Sequence, residues 1–264
     1  MRPFYMGFEI DKDVALLYGI MLGDGCLSLV YEKKKFIVIT GSSKDDLPFF
    51  ENVVHPLLKK FRGKNTNIKF RKDCNAIDFN FIDSKLFDFI HSFGFPIGKK
   101  GTEISIPDVF YEKDLLKYVV QGFMATDGSL VLTKNPNKYY PRIESMAICK
   151  NVLRQIYDYL CSIGMNGAFY LAKSKPYYKW KNVQIRYRFQ FNGKRNLLIF
   201  NEKVDFVNPK MLEKFNEFTK YDKEYDLEIR TVPTQKVNFV NEGINKRFEE
   251  RMARGRIELP TSCS

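Results

Sequence analysis

Cysteine is scarce and poorly placed for a framework. The five cysteines (Cys26, Cys74, Cys149, Cys161 and Cys263) are odd in number, scattered, and nowhere spaced as Cys-x-x-Cys. That excludes a disulfide-stapled fold and a zinc ribbon. Cys149 and Cys161 lie in apolar stretches and read as buried thiols. No apolar run reaches membrane-spanning length: Val14 to Leu22 is too short for a bilayer. The opening residues, MRPFYMGFEIDKD, lack the apolar centre of a signal peptide. A soluble, intracellular protein with no membrane partner is therefore expected. Acidic residues are outnumbered, 31 Asp and Glu against 43 Lys and Arg, for a formal charge of +12. Such a surplus favours a polyanionic partner. What the chain does have is apolar material, 44% hydrophobic residues with 24 Phe, enough to bury a core and to exclude wholesale disorder.

The apolar pattern repeats. A helix over Asp13 to Asp24 leads to strands at Leu27 to Tyr31 and Phe36 to Thr40, separated by a basic turn, EKKK. A helix over Lys44 to Phe61 follows, then the alternating segments NIKFRK and AIDFNFI, then a helix over Ser84 to Phe93. The second part runs in the same order. A helix over Glu112 to Asp127 precedes strands at Ser129 to Thr133 and Arg142 to Ala147. The helix KNVLRQIYDYLCSIG, the strands AFYLAK and VQIRYRFQF, and the helix KRNLLIFNE complete it. Each half reads αββαββα, and a duplicated unit is the simplest account. The expected organisation is a first repeat at 1–105, a second at 106–217, and a charged extension with a flexible tail at 218–264.

Both leading helices end in Asp-Gly: LLYGIMLGDG stops at Asp24 and Gly25, YVVQGFMATDG at Asp127 and Gly128, with the two acids 103 residues apart. One such pair reads as a helix stop, glycine supplying a left-handed cap or a turn. Yet a helix C-terminus carries partial negative charge, so an aspartate there opposes the dipole, and the choice is made twice. A divalent cation shared by the two carboxylates would offset that cost. Small residues one turn apart, Gly19 and Gly23 in one helix, Gly122 and Thr126 in the other, permit close backbone approach. Side-by-side packing of the helices would bring Asp24 and Asp127 together as oxygen ligands of the kind Mg²⁺ chemistry on phosphates requires.

The segments LYGIMLGDG and VQGFMATDG resemble the two motifs of the LAGLIDADG homing endonucleases in their single-chain form, over about Asp11 to Lys214. The resemblance implies an α+β fold of two pseudo-symmetric αββαββα repeats with saddle-shaped antiparallel sheets and two central motif helices. It implies a monomeric, Mg²⁺-dependent endonuclease, Mn²⁺ or Ca²⁺ substituting in binding, that hydrolyses double-stranded DNA without a covalent intermediate. The metal-binding acids would be Asp24 and Asp127, joined by the backbone carbonyls of Gly23 and Thr126. A basic residue from each half is also implied, and aligning FGFPIGKK with VDFVNPKM places Lys99 opposite Lys210, in reach of developing charge. Where relatives often carry Gln after the second strand, this chain offers Ser42 or Ser43. The only histidines, His55 and His91, are not in an HNH-like setting and read as structural. The same scaffold also serves intron RNA maturases and non-cleaving DNA-binding proteins, which stand as the alternatives.

The strands carry a signature of their own. Ala168 to Arg195 holds eight Lys/Arg, eight aromatics and no acid, Lys59 to Lys72 holds seven basic residues and no acid, and Ser129 to Arg142 three and none. Basic residues along strands that exclude acids point to a nucleic-acid surface rather than a merely solvated face. A β-ribbon fits the major groove. With a strand rise of about 3.3 Å per residue, two halves would follow a long asymmetric site of roughly twenty base pairs. Candidate base readers are Arg71, Arg142, Gln184, Arg186 and Arg188. Candidate phosphate contacts are Lys33, Lys34, Lys69, Lys138, Lys173 and Lys179. Trp180, Tyr177 and Tyr178 read as hairpin anchors or as stacking groups.

Overall fold

Asp11 starts the first helix. Its carboxylate accepts the N–H groups of Asp13 (3.0 Å) and Val14 (2.9 Å), an N-cap that launches α1 (Lys12–Asp24). This helix is apolar nearly all round, and a helix so composed belongs in the interior; Ala15, Ile20 and Met21 are wholly buried. The computed structural model describes residues 4–5, 7–72, 74–133, 139–173 and 185–231. A short hairpin, β1 (Phe4–Tyr5) and β2 (Phe8–Glu9), precedes α1 and had no counterpart in the sequence reading.

From α1 the chain passes directly into β3 (Gly25–Val30) and returns as β4 (Lys34–Ser42). The next helix was expected to be continuous and is not. A single turn, α2 (Leu47–Phe49), runs through a π-helical segment, Phe50–Val54, into α3 (His55–Arg62). Pro56 is the reason: it has no N–H to give Asn52, and its ring crowds that carbonyl. One wide turn, closed by the His55 N–H on the Phe50 carbonyl, absorbs the misfit. β5 (Ile68–Phe70), β6 (Ala76–Ile82) and α4 (Ser84–Ser92) complete the first repeat.

The second repeat follows the same plan. Its leading helix is broken: α5 (Val109–Glu112) and α6 (Leu116–Thr126) are separated where Asp114 adopts a left-handed conformation, φ 55°. Then come β7 (Gly128–Thr133), β8 (Tyr140–Ala147), α7 (Lys150–Ser162), β9 (Ala168–Lys173), β10 (Ile185–Asn192) and α8 (Lys194–Lys203). A last helix, α9 (Pro209–Thr231), stands where no element was expected: its charged residues outweigh the helical spacing of Met211, Phe215 and Phe218, which pack it on the core.

Two four-stranded antiparallel sheets result, in the orders β3-β4-β6-β5 and β7-β8-β10-β9. Their registers correspond: Gly25, Ile39, Phe79 and Ile68 lie in one row, Gly128, Ser145, Phe189 and Phe169 in the other. The architecture is α+β with duplicated αββαββα order. Both repeats lie within one compact unit that ends at Phe218.

The small residues of α1 and α6 explain how two helices can meet so closely. A Cβ on Gly19 would lie 2.1 Å from the Val119 carbonyl oxygen. One on Gly122 would lie 2.3 Å from that of Leu16, and one on Gly23 2.0 Å from the Thr126 hydroxyl. The contacts climb together along both helices, which therefore run parallel and end side by side. Gly25 and Gly128 are not left-handed caps; Gly25 is extended, φ −87° and ψ 157°. What they supply is space. A Cβ on Gly25 would fall 2.4 Å from Met21 Cα, and one on Gly128 2.4 Å from the Met124 carbonyl, because each strand doubles back past the helix it leaves.

Candidate active site

The paired helix ends bring Asp24 and Asp127 to one locus, where Asp24 is half-buried and Asp127 is open to solvent. Burial raises the Asp24 carboxyl to about 7, helped by the charges of Asp127 and Asp46 and opposed by Lys100 and Lys210. Asp127 is also raised by desolvation, against the pull of Lys100. Asp24, whose desolvation is compounded by the charges of Asp127 and Asp46, calls for compensating positive charge.

Lys100 supplies part of it, and here the structure corrects the sequence reading. The exposed Lys99 is not the lysine turned toward the acids. Lys100 is, its ammonium donating to the Leu22 carbonyl (2.7 Å) and to the Gly23 carbonyl, both at the end of α1. An ammonium on the last carbonyls of a helix offsets the dipole that Asp24 opposes. Burial lowers the Lys100 ammonium while Asp127 and Asp24 hold it up. The shift from Lys99 to Lys100 has a backbone cause. In the first linker Gly98 takes a left-handed turn, φ 85°, and its N–H bonds Leu27 O at 2.7 Å. The position aligned with it in the second repeat is Pro209, which instead opens α9. The same sequence offset therefore presents a different side chain.

Lys210 lies in the first turn of α9 and pairs with Asp46 of the first repeat at 2.5 Å. Asp46 also accepts the Ser42 N–H at 2.9 Å. Of the residues after the second strand, Asp46 is the one whose charge reaches Asp24; Ser42 Oγ bonds Asp45 (3.2 Å), and the Ser43 N–H bonds Asn75 O (3.1 Å). At the end of α6 the carbonyl matching Leu22 is that of Ala125, and it accepts Asn208 Nδ2 at 2.7 Å. The Thr126 hydroxyl turns back onto the Phe123 carbonyl (2.9 Å), and Ser145 Oγ donates to the Asp127 carbonyl (2.9 Å). Clefts flank the acids. One of about 420 Å³ opens beside Asp127, Lys99 and Lys100. Another of about 460 Å³ lies between Lys44, Lys210, Lys214 and the start of β7.

The donor set fits a hard divalent cation: Asp24, Asp127 and the Gly23 and Thr126 carbonyls offer oxygen only, and the Gly23 carbonyl, which here accepts the Lys100 ammonium, would be shared with it or released by it. Among the described residues no group of three or more His, Cys, Asp or Glu is placed to hold a metal ion, so the two aspartates would depend on backbone oxygens beside them. The histidines are engaged elsewhere: His91 Nδ1 donates to Phe95 O (2.7 Å), and His55 stacks on Phe79. Cys149 is buried and its thiol donates to Ile104 O (3.0 Å), whereas Cys161 is only half buried.

The outer faces of the sheets hold most of the remaining candidates. Lys33 and Lys34 stand exposed at the β3–β4 hairpin and Lys69 on β5. Arg71 is engaged by Asp78, Nε to Oδ2 at 2.6 Å and Nη2 to Oδ1 at 3.0 Å, with Thr40 donating to the same carboxylate (2.8 Å). In the second sheet Arg142 and Arg188 converge on Glu144, and Arg186 lies half buried on β10. Lys173 closes β9; Lys138, Lys179, Gln184, Tyr177, Tyr178 and Trp180 lie outside the described residues. Asp78 and Glu144 escaped the sequence reading because each falls just beyond the acid-free windows.

No protein-family model and no curated protein sequence matches this chain. Solved structures do. The LAGLIDADG meganuclease I-AabMI, bound to uncleaved DNA, superposes with a TM-score of 0.52 at 13% identity, covering 95% of this chain and 100% of that one. The LAGLIDADG homing endonuclease I-LtrWI, bound to target DNA, gives 0.50 at 10% identity, covering 88% and 96%. I-DmoI in complex with DNA and Ca gives 0.49 at 14%, covering 77% and 95%. The chain shares the two-repeat fold of the LAGLIDADG homing endonucleases.

Proposed function

We propose that this protein is a site-specific double-strand DNA endonuclease that uses Mg²⁺ and acts as a monomer. The observation that carries the reading is the meeting of Asp24 and Asp127, both raised by desolvation, at the ends of two parallel helices. Around them stand two sheets with basic outer faces. In this reading Asp24 and Asp127, with the Gly23 and Thr126 carbonyls, would hold the metal, which would supply Lewis-acid chemistry to the scissile phosphate and to water. Lys100 and Lys210, one from each repeat, place positive charge where the phosphorane develops. Asp46 holds Lys210 in position across the repeat boundary. Each repeat serves one strand, so a single chain suffices for both cuts.

The test is cleavage selection on a randomised duplex library, in Mg²⁺ and in EDTA, with Asp24→Asn and Asp127→Asn beside the wild type. Enrichment of one long motif that needs both metal and aspartates is the expected result. Tight binding without cleavage, to duplex DNA or to structured intron RNA, would overturn the nuclease reading.

A further inference from the structure

The basic face of the second sheet has an acid at its centre. Alternation along β8 turns Ile143 and Ser145 inward, both buried, and Arg142, Glu144 and Met146 outward. The register sets Gln190 directly opposite Glu144, and Arg188 opposite Met146. Glu144 therefore has Arg142 two residues along its own strand, Gln190 across, and Arg188 on the diagonal, all on one face. One oxygen, Oε2, faces all three: it pairs with Arg142 (Nε at 2.5 Å, close but not aligned as a hydrogen bond) and with Arg188 (Nη2 at 2.6 Å), and it accepts Gln190 Nε2 at 3.0 Å.

On a surface built only to hold phosphate, a carboxylate in this place is unfavourable: it repels the backbone and cancels one cation. Its side chain is only 14% exposed, and those of both arginines are under a third exposed. What the carboxylate supplies is order. A lone arginine loses rotamer entropy when it is fixed on a ligand, and here the carboxylate gathers both arginines before any ligand arrives. The ion pair to Arg142 lies on its Nε side and makes no hydrogen bond there, so the two terminal nitrogens, the edge that matches guanine O6 and N7, are not spent on it.

We propose that Glu144 is a specificity-determining positioning residue: it fixes Arg142, Arg188 and Gln190 as one preset constellation that reads two or three adjacent base pairs, guanines among them, in the half of the site facing the second sheet. The inference rests on the proposed DNA-cleaving function. Acting through the arginines rather than on the bases, Glu144 governs which sequence is accepted, not the chemistry.

The experiment profiles base preference at every position of the selected site for wild type, Glu144→Gln and Glu144→Ala, with Arg142→Lys and Arg188→Lys alongside. Glu144→Gln keeps the side-chain shape and guards against a misfolded alanine variant. The expected result is a loss of discrimination of about tenfold at a short block of positions on one side of the cut. The two lysine variants should relax the same block, and positions on the far side should keep their wild-type preference. An unchanged profile, or one relaxed evenly across both halves, would overturn the assignment. A wild type that selects no site at all would instead remove the nuclease reading beneath it.

Discussion

The two repeats carry the same elements in the same register, yet their motif helices end differently. The α1 carbonyls are capped by a cation, Lys100, and the matching α6 carbonyl by a neutral amide, Asn208. The second repeat's lysine, Lys210, is drawn to Asp46 of the first. Duplication thus preserved the acids and their helices while the surrounding charges diverged. The helix seam is the symmetric part of the site, and its basic residues are the asymmetric part.

The seam should be the most sensitive element, and equally so from both sides. Gly19→Ala and Gly122→Ala each press a methyl into the partner's backbone, at 2.1 and 2.3 Å from a carbonyl oxygen, where no side chain can yield. Each should cost about 3 kcal/mol or more, read as a drop in the denaturant midpoint. If one variant were tolerated and the other not, the seam would be less symmetric than its geometry indicates.

The lysines should divide the halves. Lys100→Met removes the cation resting on α1 beside both acids, and cleavage should slow by about a hundredfold. Lys210→Met should slow it only about tenfold, since Asp46 already takes part of that charge. Strand-resolved nicking rates measure both, and equal losses would mean that the divergent caps are chemically equivalent.

Much of this was legible in the sequence because apolar spacing reports burial, and burial fixes elements. The parallel helix pair followed from Gly19, Gly23, Gly122 and Thr126, residues whose smallness has a use only where backbones touch. The details that escaped depend on contacts between distant residues. No spacing rule tells that Lys100, rather than Lys99, turns inward; that depends on the left-handed Gly98 and the strand against which it docks. Asp46 belongs by sequence to a helix start and by position to a lysine 164 residues away. The glycines after the acids were expected for their torsion angles, but the fold uses their lack of a side chain.

The smallest effect also separates the halves. An unfolded Asp24 loses its proton near 3.8, whereas in the folded protein it keeps it until about 7. Between those values the folded state binds more protons, so stability falls as pH rises, and above about 7 the cost is complete. Asp24→Asn removes this cost. In EDTA the variant should match wild type near pH 4 and exceed it by about 2 kcal/mol at pH 8, the full shift being moderated by relaxation around the charge. Asp127→Asn should gain less, since Asp127 is raised by desolvation alone while Asp24 also bears the charges of Asp127 and Asp46. Thermal melts from pH 4 to 8 test the ordering. Mg²⁺ should then raise the wild-type midpoint at pH 8 more than that of either variant, because a cation bound only by the folded state restores what the paired carboxylates cost.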